Sequence, residues 1–103
     1  MPEFSSPFAG LTNKCKLTTE ELVRAIRFAI SAEYEAIQLY MQLAESIEDD
    51  LSISVLKDIA DEERIHAGEF LELLKYLSPE EEKFYDEGAE EVNEIMKKTQ
   101  ERK

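Results

Sequence analysis

The 103-residue chain has no tryptophan, one cysteine, three glycines and three prolines, and each shortage closes off a class of function. Cys15 alone can form neither an internal disulfide nor a Cys-x-x-Cys metal or redox pair, so a reducing, cytoplasmic setting is expected. Without a glycine-rich loop there is no phosphate cradle and no nucleotide-binding turn. Basic residues are also scarce: 12 Lys and Arg against 24 Asp and Glu leave a net charge of −12. Nucleic acid needs a basic face and an anionic lipid surface needs a polybasic patch, so neither partner is expected. No run approaches the roughly 20 apolar residues of a membrane-spanning helix. The first 16 residues contain Pro2, Ser5, Ser6 and Pro7 but no apolar segment of a secretory signal.

What the chain does have is helical periodicity. Its 43% apolar content suffices for one small domain. Chains of this length bury only about 60–70% of their surface, which makes self-association a natural supplement. Residues 1–16 show no period and read as a flexible lead-in to a domain over 17–103. Thr18-Thr19-Glu20-Glu21 is a capping box that opens the first helix. From there Leu22, Ile26, Ala29, Glu33, Ala36, Tyr40, Leu43 and Ile47 alternate steps of four and three, flanked by Val23, Ile30, Ile37 and Ala44. The stripe predicts a helix of about 30 residues, ~45 Å long. Glu48-Asp49-Asp50 interrupts it, and Asp50 or Ser52 is positioned to cap a second helix. That helix carries Ile53, Leu56, Ala60, Glu63, Ala67, Phe70, Leu74 and Leu77, flanked by Ile59, His66 and Leu73. Ser78-Pro79-Glu80-Glu81 reads as another capping box, opening a shorter third helix over roughly 79–99 with a weaker stripe of Tyr85, Ala89, Val92 and Met96. The fold class is therefore all-α: a long antiparallel two-helix hairpin followed by a shorter C-terminal helix.

Three polar residues occupy positions that the pattern reserves for apolar ones. Glu33 sits in the seam between Ala29 and Ala36, and Glu63 between Ala60 and Ala67. His66 takes the slot that Ile59 and Leu73 hold one heptad away on either side. Singly, each has a structural explanation: a seam Glu can set helix register, and a lone His near an apolar face is commonly satisfied by a hydrogen bond. Together they ask for another. A hairpin turning near residues 49–50 brings all three to one level, about 25 Å from the turn. Glu63 and His66, three apart, share a helix face. Small residues beside both carboxylates leave room for an ion, and buried carboxylates are normally paired or metal-bound.

One hairpin supplies two carboxylates and an imidazole, half of a dinuclear site, and leaves an apolar seam uncovered. Two hairpins packed seam to seam into a four-helix bundle remedy both shortages. Four Glu and two His then meet in a bundle core, the ligand set of ferritin-like di-iron and di-manganese carboxylate proteins. Hard carboxylates with imidazoles suit iron or manganese better than a structural zinc site.

The segments Ala32-Glu33-Tyr34-Glu35-Ala36-Ile37-Gln38-Leu39-Tyr40 and Asp61-Glu62-Glu63-Arg64-Ile65-His66 resemble the half-size ferritin-like domain of encapsulin systems, the encapsulated ferritins. The likeness spans about residues 18–98. It implies that Glu33, Glu63 and His66 ligate iron across a homodimer interface, that Glu63 bridges two metals, and that Tyr40 is a phenol hydrogen-bonded to the ligand shell. It implies further a ring-shaped assembly, typically a decamer, in which the third helix contributes to a second contact. Glu35 matches an acidic residue that relatives use to collect iron outside the site, whereas Ala32 and Leu39 stand where some members have Glu and Trp. The implied activity is that of a ferroxidase, oxidising Fe(II) with O2 for iron storage inside an encapsulin shell in the cytoplasm. Two alternatives stay open: a rubrerythrin-like or manganese-dependent peroxide-scavenging protein, and a metal-free helical adaptor. The end of the chain, Met96 to Lys103, shows no Gly/Ser-Leu-rich docking tail of the kind separate cargo chains carry, which fits a domain of a longer shell fusion or a cargo without its docking peptide.

Overall fold

The computed structural model describes residues 16–102, so Cys15 and nearly all of the expected lead-in lie outside the described residues. Three helices follow one another: α1 (Thr19–Glu45), α2 (Asp50–Leu77) and α3 (Pro79–Glu101). No strand occurs among the described residues. The expected hairpin with a trailing helix is the observed architecture.

Local chemistry sets the boundaries. The capping box at α1 is complete: the Glu21 N–H donates to Thr18 Oγ1 at 3.2 Å and the Thr18 N–H donates to Glu21 Oε1 at 2.9 Å. At α2 the cap is Asp49 rather than Asp50 or Ser52. Asp49 has extended backbone and its carboxylate accepts from both the N–H and the hydroxyl of Ser52, at 2.9 and 2.6 Å. Asp50 already lies inside the first turn, where its charge suits the positive end of the helix. These hydrogen bonds hold the Glu21 and Asp49 carboxyls below their ordinary values. Their contribution is complete at neutral pH and is lost as the pH falls through the lowered folded-state values.

Ser78 alone joins α2 to α3. Pro79 occupies the first helical position as expected, but the second capping box does not form. Ser78 makes no side-chain cap; instead its carbonyl accepts from the Glu81 N–H at 3.0 Å. The Glu81 carboxylate is engaged elsewhere. It accepts from the Arg27 guanidinium of α1 and from the Tyr85 hydroxyl one turn further along α3. The Tyr85 hydrogen bond first, and Arg27 next, hold Glu81 below the usual carboxylate range, and the same contact raises the Tyr85 phenol.

The core lies between α1 and α2. Val23, Ile26, Ile30 and Ala44 are buried on α1, and Ala60, Ala67 and Leu74 on α2. Leu22, Phe70, Leu71 and Leu77 pack at its border. The apolar surface of α1 is wider than the strip one neighbouring helix can cover. Contact falls on Val23, Ile26, Ile30 and Ala44, a face rotated from the line of Leu22, Ala29, Ala36 and Leu43. On α1 this buries the β-branched Val23 and Ile30 in place of alanines, whereas on α2 it is Ala60 and Ala67 that are buried, small enough for the helices to approach closely. A free strip is thereby left on each helix: Ala29, Ala36 and Leu43 on α1, Ile59, His66 and Leu73 on α2, all partly or largely exposed. By contrast α3 buries none of its residues.

Leu74, 1% exposed, is the largest fully enclosed side chain of this core. Leu74→Ala is expected to destabilise the chain by about 2–5 kcal/mol, read from the shift of a denaturant-unfolding midpoint at unchanged slope.

Candidate metal centre

Glu33 lies in the middle of α1, and Glu63 and His66 in the middle of α2. Each is placed by the same geometry. Glu33 follows the buried Ile30 by three residues and Glu63 follows the buried Ala60 by three, so both carboxylates stand at the edge between the covered and the free faces of the hairpin. His66, three further along α2, points from the free face. Ala60 and Ala67 on either side of Glu63 are 0% and 4% exposed, and their small side chains let α1 approach closely here.

The three side chains converge. One donor atom from each of Glu33, Glu63 and His66 lies within 4.8 Å of the others. His66 Nδ1 is 3.8 Å from Glu33 Oε2 and 3.9 Å from Glu63 Oε2. These separations are too long for hydrogen bonds. They leave the three donors gathered around a gap rather than bonded to one another. Glu33 Oε2 is fully buried and has no hydrogen-bond partner. Among the described residues, neither Glu33 nor Glu63 has a Lys or Arg within salt-bridge range. Two carboxylates, 18% and 20% exposed, therefore face one another with only a histidine between them. Burial without a compensating charge is costly, and a divalent cation is what this donor set would accept. The His66 side chain remains 50% exposed on the free face, so one chain closes only one side of the centre.

Residues 24–103 match the Rubrerythrin family. The chain belongs to that family. This rubrerythrin-family chain is 38% identical over 90 residues to a Myxococcus xanthus protein named encapsulin nanocompartment cargo protein EncC, covering 87% of the chain and 68% of that protein. It is 46% identical over 78 residues, 76% of its length, to a Pyrococcus furiosus ferritin-like-encapsulin shell fusion protein, of which it spans only 23%. Its structure is similar to the crystal structure of the encapsulated ferritin domain from Pyrococcus furiosus, with a TM-score of 0.79 and 41% identity, covering 84% of this chain and 89% of the other. The resemblance drawn from Glu33 to Tyr40 and Asp61 to His66 thus holds at the level of family and fold.

The other residues named from the sequence fall outside the triad in this rubrerythrin-family chain. Tyr40 is half-buried, seven residues along α1 from Glu33, and its hydroxyl forms no hydrogen bond to the ligand residues within the chain. Glu35 is exposed and has no salt bridge. Glu69 was missed: with Glu33, His66 and Phe70 it lines an open hollow of 330 Å³ beside the triad. Its position three residues after His66 was a usable signal, since that spacing repeats the one between Glu63 and His66. The sequence also offered no hint of the Arg27–Glu81–Tyr85 cluster, which joins residues 54 positions apart.

Proposed function

We propose that this protein is a ferroxidase in which two copies complete a di-iron centre. The observation that carries the reading is the convergence of Glu33, Glu63 and His66 around a gap of ionic size, with the buried Glu33 Oε2 left without a partner. Pairing the free faces of two hairpins would gather four glutamates and two histidines, with Glu63 bridging two metals and Tyr40 donating to the ligand shell. Fe(II) is the substrate. Each iron would give up one electron, the pair would reduce one O2 by two electrons and two solvent protons to hydrogen peroxide, and both ions would leave as Fe(III). The carboxylates neutralise the two divalent ions and tolerate the added charge of the products, while the imidazoles complete the coordination. The net charge of −12 would draw cations toward the assembly, at a rate that falls with added salt.

A helical dimer of this size encloses no storage cavity, so the oxidised iron must accumulate elsewhere. The similarity to an encapsulin cargo protein and to a shell fusion supports an encapsulin lumen in the cytoplasm as that place. The chain would assemble there as a homodimer and further as a ring such as a decamer. Glu35 would act as an outer iron-collecting carboxylate. The Rubrerythrin match favours one second reading, a peroxide-reducing di-iron or di-manganese protein built on the same ligands.

Native mass spectrometry before and after anaerobic Fe(II) addition tests the proposal. The expected result is an even-numbered assembly that gains two irons per pair of chains and then consumes O2. An assembly that takes up no iron would overturn it and leave Glu33, Glu63 and His66 as register-setting residues. Faster turnover with H2O2 than with O2, or activity with Mn(II) alone, would favour the second reading.

A further inference from the structure

The third helix is attached to the hairpin in an unusual way for a segment of 23 residues. None of its residues is buried, and a single non-helical residue, Ser78, separates it from α2. Only Glu81 on α3 is partly enclosed, its side chain 14% exposed. Arg27–Glu81 is the one salt bridge among the described residues that joins α3 to the hairpin. The same carboxylate accepts from Tyr85, one turn along its own helix. The Tyr85 hydrogen bond restricts the Glu81 rotamer before Arg27 arrives, so the ion pair orders fewer freely rotating groups than an ordinary surface pair. Glu81 is free for this contact because the Ser78 N–H, which a capping box would give it, already donates to the Leu74 carbonyl at 2.8 Å. The joint is left without a side-chain cap of its own.

We propose that Arg27, Glu81 and Tyr85 form a latch that fixes the direction in which α3 leaves the hairpin, and that opening the latch frees α3 as a helical arm without disturbing the metal centre. The arm carries a continuous apolar face. Phe84, Tyr85, Ala89, Val92, Ile95 and Met96 fall on one side of α3, and the charged residues of its later turns occupy the other. The latch therefore decides where that face is presented. This assignment does not depend on the metal reading, because the latch lies in the first turns of α3 and the N-terminal part of α1 and includes none of Glu33, Glu63 or His66.

The test is a distance measurement by pulsed electron spin resonance on the full chain. Cys15→Ser removes the native thiol, and spin labels on cysteines introduced at the exposed positions Gln38 and Asn93 report on α1 and α3. Dilution with unlabelled chain suppresses distances between copies. The latched protein is expected to give a single narrow distance. Arg27→Ala and Glu81→Gln are each expected to lose it to a broad distribution, at unchanged helix content by circular dichroism and unchanged Fe(II) uptake. Tyr85→Phe should broaden it less, since the ion pair remains. The exchanged pair Arg27→Glu with Glu81→Arg should narrow it again relative to either single substitution. A distance that stays narrow in Arg27→Ala and Glu81→Gln would overturn the latch, as would an exchanged pair no narrower than the single substitutions.

Discussion

Replacing Glu63 and His66 together by alanine is expected to abolish iron-dependent O2 consumption while leaving the chain folded. Of the six ligands of the proposed dimeric centre only the two copies of Glu33 would remain, and these cannot hold a pair of ions close together. A fall of at least about 100-fold in the rate of Fe(II) oxidation is the minimum, since even partners one layer outside a metal's ligands are worth 10–100-fold. The second half of the expected result is the more discriminating. In the absence of metal the double variant should melt no lower than the parent, because two facing carboxylates and a half-exposed imidazole with no cation between them stabilise nothing. In Fe(II) the parent should gain in melting temperature and the variant should not, as ligand binding to the folded state alone requires. If the variant instead melts lower than the parent in metal-free buffer, Glu63 and His66 contribute to the fold, and the metal reading loses its physical basis.

Leu73→Asp is expected to cost as much activity without touching a ligand. Leu73 lies one heptad beyond His66 on the free strip of α2 and is 40% exposed in the single chain. An aspartate there meets solvent in the monomer, so the hairpin should tolerate it. In a seam-to-seam dimer the same charge would be buried twice. Leaving a buried charge unpaired costs on the order of 3–5 kcal/mol, which weakens the dimer by roughly a thousandfold. Native mass spectrometry at micromolar concentration should then find single chains, and Fe(II) uptake should disappear although Glu33, Glu63 and His66 are intact. A variant that remains paired and takes up iron would show that the copies meet through some other surface.

The helices were legible in the sequence because their signals are local. Thr18 and Glu21 are three residues apart, the apolar steps of three and four repeat without interruption, and Pro79 sits where its missing N–H costs nothing. The convergence of Glu33, Glu63 and His66 was legible for a related reason: three polar residues at apolar positions, on two helices joined by a short turn, have their relative height fixed by helical rise alone. Three features were not. Asp49 displaces Asp50 as the cap of α2 because the cap depends on one residue's backbone angles, which composition does not reveal. Glu81 forms no capping box because the Ser78 N–H it would accept already donates to the Leu74 carbonyl at the end of α2, and its carboxylate meets a guanidinium 54 residues earlier in the chain. The face of α1 that meets α2 is rotated from the centre of the stripe toward Val23 and Ile30, because the pattern marks which residues avoid water and not which neighbour covers them.

That last displacement has a genetic consequence. A catalytic centre whose missing half is another copy of the same chain cannot be altered on one side only. In the proposed two-copy centre every contributing codon would be expressed twice, related by a two-fold axis, so a substitution at Glu33 would change both metals' surroundings at once. Asymmetric variants, one wild-type half facing one altered half, arise only by mixing two gene products. With such a centre, natural selection on this gene would tune the two ions together, and could give them different duties only after the gene had been duplicated.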